Sequence, residues 1–174
     1  VWLRSYSPDS GEPIYRHDPH IARLCLSPFH ISRERIPEYT RLINSYGAET
    51  LIGYPSSIYI FATLLEKTDQ DLKHVRKVHT GSEQLLDEWR SRIESVLGVP
   101  VYDHYGMVEK VGLFHQCPES SAYHENLEYG IVEIDDPEDG TGEIVGTSLL
   151  NYAMPLIRYR MGDRATLNRG STSC

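Results

Sequence analysis

Hydrophobic residues in the first half of the chain alternate between helical spacing and short continuous runs. Apolar or aromatic residues recur at helical spacing in three segments, which begin near Ser32, Pro55 and Gln84, and Gly47 and Gly98 lie where two of them would end. Runs typical of buried strands lie before, between and after these segments, at residues 21–26, 50–53, 75–80 and 99–102. This alternation predicts an α/β fold, a parallel sheet with flanking helices.

Two regions depart from this alternation. Residues 1–20 are rich in proline and glycine and predict an irregular surface segment. After Glu109 the pattern becomes one of short β-like runs separated by turn formers, and Gly162 with Asp163 predicts a hairpin turn. These β-like runs are residues 131–135, 143–149, 156–160 and 165–167. We therefore expect an α/β subdomain at 1–107, followed by a small antiparallel β-rich subdomain at 108–174.

Composition restricts the class of protein and its partners. With 40% hydrophobic and 24% charged residues, the chain has the composition of a globular protein. The net charge is -8 and no cluster of Lys and Arg stands out, which predicts no nucleic-acid partner. No run is long and apolar enough to cross a bilayer, and the start lacks a signal-peptide pattern, so we expect no membrane partner and a cytoplasmic location. Nothing in the sequence indicates an oligomeric state.

The cysteines and the chain ends carry further expectations. Three cysteines are too few for a disulfide framework in a chain of this size, so reduced thiols or metal ligands are predicted. Cys25 lies within an apolar run and is predicted to be a small core residue. The chain begins at Val1 without an initiator methionine and ends at Cys174. We expect an internal fragment of a longer protein.

Polar and aromatic residues follow the predicted strands at 75–80 and 99–102. In open α/β sheets, ligands bind at the carboxyl ends of the strands, where such residues would lie. Tyr105 can stack on a flat base, and backbone amides released at Gly81 and Gly106 can bind adenine or phosphate. The two loops are therefore candidates for the walls of a nucleotide site.

Carboxylates complete the set of candidates. Glu109 can hold Mg²⁺, which takes carboxylate and phosphate oxygens together, and Asp163 can accept hydrogen bonds from both ribose hydroxyls. The alternative is that Glu83 and Glu109 are exposed loop carboxylates, that Tyr105 is a rim aromatic, and that Asp163 belongs to an ordinary turn. Taken singly, each residue fits that alternative better.

Four segments taken together carry a resemblance. They are Thr80-Gly81-Ser82-Glu83, Asp103-His104-Tyr105-Gly106-Met107-Val108-Glu109, Gly140-Thr141-Gly142-Glu143-Ile144-Val145 and Arg158-Tyr159-Arg160-Met161-Gly162-Asp163. Their order and approximate spacing resemble those of adenylate-forming enzymes, and most closely the phenylacetate-CoA ligase family and its capsule-biosynthesis relatives. The resemblance runs from about residue 29 onward and implies part of the large domain of such an enzyme.

The resemblance implies a site for ATP or AMP. Tyr105 would stack on the adenine, Asp163 would hold the ribose, and Glu109 would be the catalytic residue that binds Mg²⁺. The loop after residue 80 would border the adenine. The other nucleotide-binding residues implied by these motifs are Gly81, Ser82, Glu83, His104, Gly106 and Met107.

The implied reaction begins with attack of a substrate carboxylate on the α-phosphate of ATP, which gives an acyl-adenylate and pyrophosphate. Transfer of the acyl group to the thiol of coenzyme A often follows. The partner is a small carboxylic acid, which His104 can approach. Tyr54, Tyr59 and Phe61 can line a pocket for an aromatic acid, although core packing explains them equally well.

The sequence also departs from the family pattern. Val108 stands where the family usually has Ser or Thr, whose hydroxyl touches the α-phosphate. No phosphate loop precedes residue 80, and no C-terminal lobe with the adenylating lysine follows, so we expect the chain alone to be inactive. One rival is a capsule or exopolysaccharide enzyme that does not use coenzyme A. The other is a non-catalytic nucleotide-binding or zinc-stabilised scaffold.

Cysteine and histidine residues suggest a structural zinc site. Some members of the resembled family hold zinc with a Cys, a His and a Cys-x-Cys pair, and Cys117, His124 and Cys174 fit that layout. His115 lies near them in the sequence. The alternative is that a Cys and two His in a polar loop are exposed or locally hydrogen-bonded.

Overall fold

The computed structural model describes residues 1–117, 120, 122–138 and 140–166, with the side chains of residues 136–138 left out. The chain divides into two compact units, Val1–Asp103 and the part from His104 onward. The predicted domain boundary between residues 107 and 108 stays a prediction. Each described helix has at most 13 residues, too few to cross a membrane.

The first unit is a mainly parallel sheet with three helices. Its strands are β1 (Trp2–Leu3), β2 (Tyr15–Asp18), β3 (Arg23–Leu26), β4 (Thr50–Gly53), β5 (Lys77–Gly81) and β6 (Val101–Gly106), which ends in the second unit. The strand order is β2-β3-β1-β4-β5-β6. Strand β1 pairs in parallel with β3 and β4, and β4 pairs in parallel with β5, whereas β2 is antiparallel to β3. The predicted α/β fold is confirmed.

The helices are α1 (Ile36–Tyr46), α2 (Pro55–Lys67) and α3 (Asp87–Leu97). Helices α1 and α3 end at Gly47 and Gly98, which adopt left-handed φ values of 69° and 64°, as C-terminal glycines commonly do. Helix α2 begins at a proline, whose missing N–H would be unpaired in the first turn anyway. Helix α1 begins at Ile36, later than predicted, and is preceded by a turn in which the Ser32 carbonyl accepts the N–H groups of Arg35 and Ile36.

A single apolar cluster fills the first unit. Its fully buried members come from every central element and include Leu3, Leu51 and Val78 of the sheet and Ile43, Ile58, Phe61 and Ile93 of the helices. Cys25 is also buried, which confirms its prediction as a core residue. The prediction of an irregular surface segment for residues 1–20 was wrong in part, because β1 inserts between β3 and β4 and buries Leu3 completely.

The second unit contains only strands among its described elements. The end of β6 pairs antiparallel with β7 (Leu113–Gln116), which pairs antiparallel with β8 (Tyr123–Glu125). A separate antiparallel sheet has the order β11-β10-β9, from β9 (Gly130–Glu138), β10 (Thr141–Ser148) and β11 (Tyr159–Thr166). The predicted β-rich character of this region is confirmed.

The predicted hairpin at Gly162 and Asp163 was wrong. Both residues lie inside β11. This strand continues from the end of the run predicted at 156–160 into the described part of the run predicted at 165–167. Gly162 has a φ of 80°, and the pairing register between β10 and β11 shifts between Glu143 and Val145. Since this backbone favours glycine, a strand irregularity produces the same Gly-Asp signal as a turn.

Candidate functional site

The loop after β5 is tied to the start of helix α2. Ser82 adopts a left-handed φ of 68°, and the carboxylate of Glu83 accepts the backbone N–H of Ser56 at 3.1 Å. That N–H belongs to the first turn of the helix, where no carbonyl within the helix can reach it. A carboxylate there is also favoured by the helix dipole. Glu83 therefore has a structural partner, which sequence reasoning missed.

A buried hydrogen bond joins the ends of β5 and β6. The Thr80 hydroxyl donates to Oδ1 of Asp103 at 2.5 Å, and the two residues are 0% and 4% exposed. Asp103 follows the strand predicted at 99–102 but lies within β6, which continues past that run. The bond joins the ends of two neighbouring strands. Gly81 is the last residue of β5, and Tyr105 and Gly106 are the last two of β6, so these residues lie within strands and not in the loops that the sequence predicted.

In the second unit, Tyr105 contacts Asp163 although the two are far apart in sequence. The Tyr105 hydroxyl donates to Oδ2 of Asp163 at 2.5 Å. Burial, followed by the hydrogen bond to and the negative charge of Asp163, raises the pKa of Tyr105 above its ordinary value. The phenol therefore remains a protonated donor. One edge contact, to Phe114 with ring centroids 5.6 Å apart, also orients the ring.

Glu109 lies in a tight turn after β6. The Lys110 N–H donates to the Met107 carbonyl at 3.2 Å, and Lys110 has a left-handed φ of 58°. Glu109 is half-buried, and its Oε1 lies 3.5 Å from the hydroxyl of Tyr159, on β11. Val108, the departure from the family pattern, is 94% exposed. The structure thus brings Glu109 against the strand that also carries Asp163.

The other predicted nucleotide-binding residues of this segment lie on or beside β6. His104 pairs across the sheet with His115, and Gly106 pairs with Leu113. Met107, half-buried, opens the turn that contains Glu109. Their roles towards a ligand stay predictions.

The implied Mg²⁺ and zinc sites were compared with the described side chains. The half-buried Glu109 carboxylate is chemically suited to Mg²⁺. For zinc, Cys117 is buried, Nε2 of His124 is buried without a hydrogen-bond partner in the described part, and Cys174 lies outside the described residues. His115 and His124 face each other across β7 and β8. Among the described residues, however, no group of three or more His, Cys, Asp or Glu could hold a metal ion.

The predicted aromatic residues of helix α2 have different surroundings. Phe61 is fully buried and packs near Tyr39, which favours the core-packing alternative for this residue. Tyr59 stacks on Trp89 with ring centroids 5.4 Å apart. Tyr54, immediately before the helix, hydrogen-bonds through its hydroxyl to the Ser5 hydroxyl at 2.9 Å.

Comparisons with known proteins can now be set beside this geometry. No family model matches the chain. Protein CapK of Staphylococcus aureus is 25% identical over 154 residues, which cover 88% of this chain and 34% of the relative. A phenylacetate-coenzyme A ligase of Pseudomonas putida is 30% identical over 162 residues, 86% of this chain and 37% of the relative. The chain thus spans about a third of the length of these curated relatives.

Solved structures agree in fold. An open conformation of 2-hydroxyisobutyryl-CoA ligase, in complex with 2-HIB-AMP and CoA, aligns with a TM-score of 0.65 and 18% identity over 78% of this chain and 33% of its own. The anthranilate CoA ligase AuaEII, in complex with anthranoyl-AMP, aligns with a TM-score of 0.63 and 15% identity over 83% and 32%. Fold and sequence matches together define the class of this chain as the adenylate-forming superfamily. Within it, the chain is similar to a phenylacetate-coenzyme A ligase and to Protein CapK.

Proposed function

We propose that this chain is the nucleotide-binding part of a ligase that activates a carboxylic acid with ATP. The acid carboxylate attacks the α-phosphate, a P–O bond to the β-phosphate breaks, and an acyl-adenylate and pyrophosphate result. The thiol of coenzyme A then displaces AMP, which gives a thioester. The named relatives and the AMP-intermediate complexes of the neighbours support this reaction class.

One observation carries the nucleotide site, the hydrogen bond between Tyr105 and Asp163. Because the phenol engages Oδ2, it orients the carboxylate and leaves Oδ1 without a partner among the described residues. Asp163 is exposed and can accept from the ribose hydroxyls, while the Tyr105 ring offers a face for adenine. Both groups are preorganised, so binding would require little ordering of side chains.

The remaining roles follow from neighbouring residues of the same segment. Glu109 would hold Mg²⁺, which would neutralise phosphate charge, while the tight turn orients that carboxylate. His104, Gly106 and Met107 would contact the nucleotide. Gly81, Ser82 and Glu83 are assigned to adenine on the family resemblance, and Glu83 also keeps its bond to Ser56. Catalysis would depend on positioning and on neutralisation of charge.

The nucleotide site is tested by the affinity of the chain for AMP and for 2′-deoxy-AMP, measured by calorimetry. We expect a preference for AMP, and we expect Asp163→Asn to remove that preference with a loss of roughly tenfold in AMP affinity. Tyr105→Ala should cost roughly tenfold or more, because stacking of a base on an aromatic ring is lost.

Tyr105→Phe separates stacking from orientation. It keeps the ring and removes the bond to Asp163, so AMP should still bind while the preference over 2′-deoxy-AMP declines. Tyr152→Phe is the matched control, since that side chain is 88% exposed. Equal AMP affinity in all variants, or no AMP binding at all, would contradict the proposed nucleotide site.

Turnover is to be measured in the full-length protein as release of pyrophosphate with a series of carboxylic acids, with and without coenzyme A. Pyrophosphate release without thioester formation would favour the rival that does not use coenzyme A. No ATP consumption with any acid would leave the non-catalytic scaffold. Glu109→Gln should weaken use of Mg·ATP, and an unchanged rate would assign the metal to another carboxylate.

Zinc stays a separate proposal that concerns stability. If Cys117 and His124 contribute to a zinc site, about one equivalent of zinc should copurify with the chain and be lost in Cys117→Ser. Cys25→Ser, at the buried cysteine of the other unit, is the control for the loss of a thiol. Less than about a tenth of an equivalent in the unmodified chain would remove the zinc site.

A further inference from the structure

Arg4 is a cation that the proposed function does not use. It directly follows β1, at the carboxyl end of the parallel sheet of the first unit. Its Cζ lies 5.5 Å from the ring centroid of Trp2 and 5.2 Å from that of Tyr54, and its Nη2 donates to the Ser82 hydroxyl at 3.1 Å. Two aromatic rings and a hydroxyl therefore orient the guanidinium.

The guanidinium has more donors than acceptors around it. Its Nε is shielded from solvent and has no hydrogen-bond partner in the part of the chain that the structure describes. No described carboxylate lies within ion-pair distance of Arg4, whereas Arg92, Arg158 and Arg160 all have such partners. A shielded N–H without an acceptor is costly, so its presence indicates that a ligand supplies the acceptor.

Three hydroxyl groups, one of them in contact with this cation, lie on the segments that follow three parallel strands. The Ser5 and Tyr54 hydroxyls are 2.9 Å apart after β1 and β4, and Ser82 follows β5. Ser5 and Ser82 have left-handed φ values of 59° and 68°, which residues other than glycine rarely adopt and which are common at ligand sites. The carboxyl ends of such strands are where ligands of open α/β sheets bind.

We propose that Arg4, with the hydroxyls of Ser5, Tyr54 and Ser82, forms a recognition site for an oxyanion. A planar guanidinium matches both carboxylate and phosphate, so the oxyanion is the carboxylate of the acid or a phosphate of the nucleotide. The choice between these two sources rests on the proposed function. Glu83, the residue after Ser82, forms no described ion pair with Arg4, and its carboxylate accepts the backbone N–H of Ser56 instead.

The test follows the Nε–H resonance of Arg4 by nuclear magnetic resonance in the ¹⁵N-labelled chain. Inorganic phosphate and phenylacetate are added in separate titrations at constant ionic strength, and Arg4→Lys assigns the resonance. We expect a saturable shift at Arg4. Arg16, whose Cζ lies 5.4 Å from the Tyr6 ring outside this cluster, is the internal control and should not saturate.

Variants measure the contribution of the cation and of one hydroxyl. Arg4→Gln should weaken binding of the anion by roughly tenfold or more, because a charge-assisted pair is lost. The affinity is measured from the shift of the Ser82 amide resonance. Tyr54→Phe keeps the ring beside Arg4 and removes the hydroxyl, so it should weaken binding of the anion less than Arg4→Gln does. Arg16→Gln should match the unmodified chain.

The outcomes separate the sources and the two proposals. Saturation with phosphate only assigns the site to the nucleotide, and saturation with phenylacetate only assigns it to the acid. No shift at Arg4, or an equal drift at Arg4 and Arg16, overturns the oxyanion site. AMP binding is read independently through Asp163 variants, so loss of the nucleotide site would leave the result at Arg4 unchanged.

Discussion

The two units of the chain differ in what is buried. The first unit contains the whole apolar cluster, in which Leu3, Tyr39, Leu51 and Phe61 are fully buried. Among the described residues of the second unit, the buried apolar side chains are Val111, Cys117, Ile144 and Val145, while Leu127, Leu150, Tyr152 and Ile157 are among those more than half exposed. Burial of apolar side chains therefore stabilises the first unit, whereas hydrogen bonds between paired strands contribute a larger share of the stability of the second unit.

Polar interactions differ in the same sense. The first unit has buried, uncharged donors on short bonds, such as the Tyr39 hydroxyl to the Ser27 carbonyl at 2.6 Å. The first unit also has an exposed ion pair, between Arg92 and Glu66, but the second has a network of them across β9, β10 and β11, in which Arg160 contacts Asp135 and Glu143. The residues proposed for the nucleotide lie mainly in this second unit. We therefore expect the first unit to be the more rigid one, and substitutions in the second unit to cost less stability.

The largest expected effect is truncation in the first core. Phe61→Ala should lower the free energy of unfolding by about 3–5 kcal/mol, because a fully buried ring leaves a cavity. Phe29→Ala is the matched control, since this ring is 69% exposed, and should change stability by about 0.5 kcal/mol or less. Urea unfolding measures both. Similar values for the two variants would contradict the assigned core.

A smaller effect is expected from buried hydroxyls. Thr80→Val removes the donor to Asp103 and should cost about 1–3 kcal/mol. Thr40→Val is the matched control, because the Thr40 hydroxyl is buried without a hydrogen-bond partner in the described residues, and it should be neutral or stabilising. Equal losses would show that volume, and not the hydrogen bond, matters at residue 80.

The pH dependence of the first unit should report Tyr39. Burial raises the pKa of this phenol from 10.0 to about 12, so the folded chain retains a proton that the unfolded chain releases. The stability from Tyr39 is therefore fully present below pH 10.0 and lost as the pH rises through about 12. The stability difference from Tyr39→Phe should fall above pH 10 by up to about 1.4 kcal/mol per pH unit. A difference independent of pH would contradict the raised pKa.

The smallest effect is expected for the ion pairs of the second unit. Arg160→Met should shift the unfolding midpoint less than Phe61→Ala or Thr80→Val, because exposed pairs are weakened by solvent and by salt. That shift should shrink further in concentrated salt. Arg41→Met, at an exposed arginine without a described ion pair, is the control. A large shift that survives high salt would mean that the ion pairs, and not strand pairing, stabilise this sheet.

Sequence alone determined the local features of this protein. Gly47 and Gly98 end helices, Pro55 begins one, and the alternation of runs predicted the parallel sheet, because these signals depend on residues a few positions apart. The ordered motifs also predicted the adenylate-forming superfamily correctly, since each is a short segment.

Only the tertiary structure decided which distant residues meet. The two-residue strand β1 is too short to show a pattern, and it was found through its pairing with β3 and β4. Gly162 predicted a turn, but the pairing of β11 with β10 shows that it lies at a strand irregularity. The contacts of Tyr105 with Asp163 and of Arg4 with Ser82 join residues 58 and 78 positions apart. No local preference encodes such contacts, because they form only when packing of the whole unit brings separate strands together.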